Sequence, residues 1–394
     1  MNYSRLKHWS KNAPLLSRIL LIWLILEVAG CLVVPSFIPR SWYLSWYLGK
    51  KAREGTHRFL KGEAYLIPDE WCGWKNKPNA NKENWIIDEH GARSTHLFKT
   101  QPVKSTRAVF LGSSMINGGM HISNNETISA FLETEDIEAL NFGTMMYSAD
   151  QCLQAYRHRL HRYNARVVFV GLDDVPTAPL KNLYIPLLMP QEKNMPYLKP
   201  RFELDGGSLR FINPPAEALL SRVPNSPALL QLLSMHDSFY TRFETYCRLG
   251  LMPLSAMSRF TYYKLINLLN YFRHDSEEDQ LLAAVMNEMV REAEKHGAQV
   301  IFLTLPHQRT CIRPGIYRLL PDLYQDLVNK IRYQAFDVVD VREVFYKSGQ
   351  PFDQLFMADG QHYTPLANRI IAEALHPIIT NISNTKSPGL LGSD

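Results

Sequence analysis

The sequence predicts an α/β protein, a three-layer α/β/α sandwich with a mostly parallel sheet, preceded by one N-terminal transmembrane helix. Three observations carry this. Short apolar runs alternate with amphipathic segments over most of residues 101–380, which is the rhythm of βαβ crossovers. The runs are short and continuously apolar, as parallel strands covered on both faces are. One longer apolar stretch stands near the start with basic residues on both sides.

That stretch occupies residues 19–38. From Ile19 to Val34 it reads ILLIWLILEVAGCLVV, with Glu27 as its one charge. With its apolar neighbours it approaches the ~20 residues needed to span a bilayer. Residues 1–53 carry eight basic residues against one acid, a net of +7 that leaves the rest of the chain at −2. A body so near neutrality excludes nucleic acid as a partner. The basic N-terminus, residues 1–18, followed by one span is the signal-anchor arrangement, with a cytoplasmic N-terminus and an exported body. Val28-Ala29-Gly30-Cys31 also resembles a lipoprotein cleavage box, which would place a lipid on Cys31. Glu27 and the apolar run beyond Cys31 argue against that alternative. Trp42, Tyr43, Trp46 and Tyr47 follow the span as an interfacial aromatic belt would.

Residues 42–60 have helical spacing and sit next to the expected membrane. The rest of the 39–100 lead-in is rich in Trp, Lys, Asn and Pro and lacks clean periodicity. Strands are expected at 107–111, 139–142, 166–171, 299–305 and 337–341. Helices are expected at 127–135, 149–163, 280–296, 321–335 and 365–375, with Gly297 as a natural C-cap. Residues 180–275 interrupt the alternation as an insertion over one end of the sheet. Within it a hairpin over 202–211 turns at Asp205-Gly206-Gly207. Residues 381–394 form a tail. At 46% hydrophobic and 21% charged, the chain of 394 residues excludes a disordered protein or a disulfide-stapled miniprotein. Its five cysteines show no C-x-x-C pair and no ligand-like spacing, so no metal and no cofactor is expected; one long-range disulfide stays open.

In open α/β sheets, ligands bind beyond the carboxyl ends of the strands. After the first strand comes Gly112-Ser113-Ser114-Met115-Ile116-Asn117-Gly118-Gly119, where a strand-to-helix turn exposes a hydroxyl among backbone N–H groups. Near the far end stands Asp359-Gly360-Gln361-His362-Tyr363-Thr364-Pro365. Its spacing lets the Asp359 carboxylate fold back on Nδ1 of His362 and leaves Nε2 free as a base. Thr364-Pro365 is a helix N-cap and first turn. His307, following the fourth strand, is a candidate for lining a substrate pocket. The Arg157–Arg162 stretch, with His158 and His161, has the pattern of a solvated helical face. Tyr240, Phe243, Tyr246, Tyr262 and Tyr263 in the insertion suit core packing or, alternatively, sugar-stacking platforms.

These blocks together resemble the SGNH (GDSL-like) hydrolase family, in particular its membrane-anchored, exopolysaccharide-associated branch of acyl esterases and O-acetyltransferases. Gly112-Ser113-Ser114 matches the family's G-D-S block, and Asn141-Phe142-Gly143-Thr144-Met145-Met146-Tyr147-Ser148 its second block. Gly171-Leu172-Asp173-Asp174 matches G-x-N-D, and Asp359 with His362 match D-x-x-H. Gly73–Asn79 and Gly91-Ala92-Arg93-Ser94 resemble the lead-in of that branch. The resemblance implies an SGNH/flavodoxin-like sandwich and a Ser114-His362-Asp359 triad, with Ser114, Met146 and Asp173 at the oxyanion positions. The implied activity is a serine acyl esterase or O-acetyltransferase on an exported polysaccharide or other acylated glycan. Its place is the bacterial inner membrane with the catalytic domain in the periplasm. The bilayer and a membrane-embedded acyl donor protein are the further partners. Two departures bear on this. Met146 replaces a glycine, which predicts a reshaped loop. Asp173 replaces an asparagine that donates to the oxyanion, so it can donate only when protonated, unless Asn117 supplies the donor. The alternative is a catalytically inactive SGNH-like module that binds polysaccharide or scaffolds its assembly machinery.

Overall fold

The structure, a computed structural model, describes residues 17–19, 21–22, 25 and 40–384, save for 83, 175, 190–194, 196, 224–225 and 250–275. Most of the expected span and Cys31 lie outside the described residues. Among those described, no helix is long and apolar enough to cross a membrane. The helix at Arg40–Leu60 bends at Gly49, whose φ of 70° interrupts the regular turns. Its apolar stripe, Leu44, Leu48 and Ala52, is fully buried in the protein. Tyr47, expected in an interfacial belt, is buried too and donates to the Pro186 carbonyl at 2.8 Å. An amphipathic ring can meet a lipid surface or a protein groove; here a groove takes it.

The lead-in folds into two small antiparallel hairpins. β1 (Leu66–Asp69) pairs with β2 (Gly73–Asn76), and β3 (Asn81–Lys82) with β4 (Trp85–Ile86). Its aromatic content is explained by Trp74 and Trp85, both buried. The central sheet then forms from β5 (Thr106–Leu111), β6 (Ile137–Asn141), β7 (Val167–Asp173), β10 (Gln299–Leu305) and β11 (Val338–Asp340). All pairs in it are parallel, in the order β11-β10-β7-β5-β6. The first of these strands in sequence therefore lies inside the sheet, with the second on one side and the third on the other.

Alternate side chains of each strand serve opposite layers. Ala108, Phe110, Phe169 and Ile301 pack with helices Ile128–Leu132, Val341–Ser348 and Pro365–Asn384. Val109, Leu111, Val168, Val170 and Val300 pack with helices Ala149–Ala155, Ser276–Glu294 and Leu323–Tyr333. Burying each of the Val, Leu, Ile and Phe side chains among them stabilises the fold by about 1.5–3 kcal/mol. The lead-in helix and Trp74 belong to this second core, so lead-in and sheet share one interior.

Two local expectations change. The helix foreseen over 149–163 holds α geometry only to Ala155, then passes through a π turn at Tyr156–Leu160 and a 3-10 turn at His161–Tyr163. Its basic stretch is solvated only in part: His158 and Arg162 are exposed, but several of the side chains are engaged. Arg157 pairs with Glu288 and Glu292, Arg159 reaches Asp69 at 2.9 Å, and His158 stacks on Trp71 at 3.8 Å. Phe243 is core, edge-on to Tyr47 at 5.7 Å, with Tyr240 beside it. The Tyr246 side chain and Tyr262 and Tyr263 lie outside the described residues. The hairpin, β8 (Arg201–Asp205) with β9 (Ser208–Ile212), turns where expected, on Gly206 and Gly207 at φ 56° and 85°. Both angles are those of the tight turn preferred between twisted strands. Cys72, Cys152 and Cys311 form no disulfide and are buried, and Cys247 is buried as well.

Candidate active site

β5 ends at Leu111, and the chain turns at Gly112 into a four-residue helix, Ser114–Asn117. Ser113 caps it, its Oγ accepting from the Met115 N–H at 3.2 Å. Ser114 at the first helical position is half-buried and opens above the carboxyl edge of the sheet. From the other end of the chain, the turn 356–363 brings His362 to it. His362 Nε2 lies 3.0 Å from Ser114 Oγ, and His362 Nδ1 lies 2.5 Å from Asp359 Oδ2. The other Asp359 oxygen accepts from the backbone N–H groups of Gln361 at 2.8 Å and His362 at 3.0 Å. Burial works to raise the Asp359 pKa, but the His362 side chain and those two amides outweigh it and bring it to about 2. The turn is anchored below by Tyr363, whose hydroxyl donates to the Pro306 carbonyl at 3.1 Å. Thr364 caps the closing helix as expected, accepting from the Ala367 N–H at 3.3 Å.

Gly119 forms the wall behind the imidazole. Its φ is +63°, and a Cβ there would meet His362 Cδ2 at 3.1 Å. The loop carrying it is held by Arg93, a buried cation whose guanidinium donates to the carbonyls of Asn117 (2.8 Å), Gly119 and Ile122. Burial pulls the Arg93 pKa down, to about 10, with Glu126 opposing it.

The second-block loop is bolted to the first. Thr144 N–H donates to Gly112 O at 2.9 Å, and Asn141 Nδ2 to Ile116 O at 2.9 Å. The lead-in grips the same loop. Asn76 Nδ2 donates to Gly143 O at 3.0 Å, Trp74 Nε1 to Met145 O at 2.9 Å, and Tyr147 OH to Trp74 O at 2.5 Å. Met146 takes φ 65°. The methionine thus adopts the left-handed conformation that a glycine would take freely, at a cost of about 1–2 kcal/mol.

Asn117 does not face a ligand. It is fully buried, donating to Gly143 O at 2.8 Å and accepting from Trp85 Nε1 at 2.9 Å. Both ends of its amide tie the Ser114 helix to its neighbours, so it positions and does not bind.

Asp173 ends β7 half-buried, with Ser113 Oγ donating to its Oδ1 at 2.8 Å. Burial pushes its carboxyl up to about 6, against the opposing pull of His307, the Ser113 hydroxyl and His362. Asp174 next to it goes the other way. Burial would raise it, but His307 Nδ1 at 3.0 Å and the Thr310 hydroxyl at 2.5 Å hold it below the usual carboxylate range. His307 is half-buried, and the Asp174 carboxylate overcomes the effect of burial to raise its pKa. The two adjacent acids are thus driven apart, one ionised beside an imidazole and one held toward its neutral form.

Three contributors were not singled out in the sequence: Ser113 hydrogen-bonds Asp173, Asp174 holds His307, and Arg93 fixes the 117–122 loop. Beside the site, without a contact to Ser114, stands His121, its Nε2 4.0 Å from Asp359 Oδ2. Arg93 sits in a lead-in motif that could have marked it, whereas His121 carries no local signal.

No family model matches the sequence, and no curated protein matches it. Among solved structures, the chain is similar to a putative lipolytic protein of the G-D-S-L family from Desulfitobacterium hafniense DCB-2. Identity is 12%, over 69% of this chain and 99% of that one, with a TM-score of 0.34. It is also similar to Axe2, an acetylxylan esterase from Geobacillus stearothermophilus (10%, 70% and 94%, TM-score 0.37). A lipase/acylhydrolase from Enterococcus faecalis is a third (10%, 71% and 95%, TM-score 0.35).

Proposed function

We propose that the protein is an SGNH-type serine acyl esterase or O-acetyltransferase acting on an exported polysaccharide from a single N-terminal membrane anchor. The observation that carries the acyl chemistry is the continuous Asp359–His362–Ser114 hydrogen-bond chain, whose nucleophile–base contact of 3.0 Å is within reach for proton transfer. Glycan and anchor rest on the family resemblance and on the apolar run at 19–38.

In this reading Ser114 Oγ attacks an acyl carbonyl while His362 Nε2 takes its proton. Asp359 fixes the tautomer and supports the imidazolium. The N–H groups of Ser114 and Met146 and the neutral acid of Asp173 receive the oxyanion. His362 then protonates the departing sugar oxygen, leaving an acyl ester on Ser114. Water or a second sugar hydroxyl, deprotonated by His362, resolves it. Ser114→Ala should abolish hydrolysis of a small acetyl ester while its circular dichroism spectrum and melting temperature stay those of the parent; equal turnover by both proteins would exclude the reading.

One observation favours a second reading, an idle polysaccharide-binding or scaffold module: an ionised Asp173 would repel the oxyanion that its position is meant to receive. Labelling by a fluorophosphonate separates the two. Modification at Ser114 supports the enzyme, and no modification of folded protein between pH 5 and 8 supports the module.

A further inference from the structure

We propose that His121, Asp359 and His362 form a binding site for a divalent transition ion of the zinc type, and that occupancy of this site switches the serine chemistry off. One ligand atom from each of the three residues falls within 4.8 Å of the others. His121 Nε2 stands 4.0 Å from Asp359 Oδ2, and the two imidazole centroids are 5.9 Å apart. Zinc bound to nitrogen and oxygen sits about 2.0–2.2 Å from each ligand, so tetrahedral neighbours lie roughly 3.3–3.5 Å apart. A small swing of His121 closes that gap, and its side chain, 57% exposed, is free to make it. Asp359 and His362 are already joined by one turn, and their 2.5 Å hydrogen bond opens by about 1 Å when the ion takes the place of its proton. Two imidazoles and a carboxylate suit zinc, and copper(II) or nickel(II) as well, over magnesium or calcium.

The effect on His362 follows from proton counting, and it rests on the serine-esterase reading. The neutral ring carries one proton, on Nδ1, where it faces Asp359. A metal ion at Nδ1 leaves that proton on Nε2, which then points a donor at Ser114 and has no lone pair to act as base. A metal ion at Nε2 occupies the lone pair itself. Either way no proton is lost from the protein and no bond in substrate changes, but the nucleophile has no acceptor. The site differs from a catalytic zinc centre in that its ion removes a base and generates no nucleophile.

The test uses the full chain freed of metal, with His121→Ala as the variant, since His121 is exposed and has no part in the acyl steps above. Zn²⁺ is titrated into an acetyl-ester assay, and Co²⁺ binding is followed by its visible absorption in Ser114→Ala, which keeps all three ligands. Losing an outer partner of a metal ligand already weakens metal binding about 10–100-fold, so losing a ligand should raise the Zn²⁺ inhibition constant at least that far. The expected result is Zn²⁺ inhibition reversed by chelator, a Co²⁺ band in Ser114→Ala, and loss of both responses on adding His121→Ala. Mg²⁺ should do nothing. Equal Zn²⁺ sensitivity with and without His121, or no Co²⁺ band in Ser114→Ala, overturns the site. Absence of ester hydrolysis by the metal-free protein would count against the esterase reading alone, because Co²⁺ binding is read without turnover.

Discussion

Asp173→Asn is the substitution that most directly probes the chemistry. At a pKa of about 6, roughly one molecule in a hundred holds the proton on Asp173 at pH 8, and about nine in ten at pH 5. If only the neutral acid supports the oxyanion, the native enzyme works at about 1% of its capacity at the higher pH. Asparagine has the same shape, and its Oδ1 can keep accepting from Ser113 as Asp173 Oδ1 now does at 2.8 Å, leaving Nδ2 to donate at any pH. The variant should therefore hydrolyse p-nitrophenyl acetate about 100-fold faster than the parent at pH 8, with the ratio falling toward one near pH 5. That gain lies within the factor of about 10²–10³ that one oxyanion donor contributes elsewhere. The measurement is kcat/KM for both proteins from pH 5 to 8, with background hydrolysis subtracted. A ratio that does not change with pH, or a variant slower than the parent at pH 8, would refute the assignment of Asp173.

The same carboxyl bears on stability. Its folded pKa lies above the unfolded value near 3.8, so its contribution is complete below pH 4 and lost as pH rises through 6; Asp173→Asn should raise the melting temperature most above pH 6. His307→Ala removes an imidazole that lowers the Asp173 pKa, so the alkaline limb of the rate profile should move to higher pH. Gly119→Ala puts a methyl 3.1 Å from His362 Cδ2 at a φ of +63°; kcat should fall further than the loss of about 1–2 kcal/mol of stability explains, as comparison of rates with denaturant melts will reveal. Lys199 is buried against Asp150 at 2.5 Å, so Lys199→Ala should cost about 3–5 kcal/mol in urea unfolding by stranding the carboxylate.

The sheet was legible because a strand covered on both faces must be largely apolar, as four of the five runs are; the fifth, at the sheet edge, keeps its apolar pair Val338-Val339 between Asp337 and Asp340. The Ser114 and His362 blocks were legible because tight turns carrying a hydroxyl or an imidazole leave local spacing behind. What escaped depends on space. A π turn adds a residue to a helical turn without altering the apolar pattern enough to betray it. Asn117 offers the same amide whether it meets a sugar or the Gly143 carbonyl, and only burial tells which. Tyr47 reads equally as a membrane belt or as core. Burial raises Asp173 while His307, far along the chain, holds Asp174 down, so two adjacent and identical letters acquire different chemistry.

The hairpins upstream of the sheet hold no catalytic atom, yet they carry Asn76, Trp74 and Trp85, whose side chains brace Gly143, Met145 and Asn117. A shortened chain starting at β5 would retain each reactive group and lose the jig that sets their spacing. The heritable unit is therefore larger than its catalytic alphabet. Recombination that exchanged those hairpins for a relative's would detune a reaction occurring on the far side of the cut.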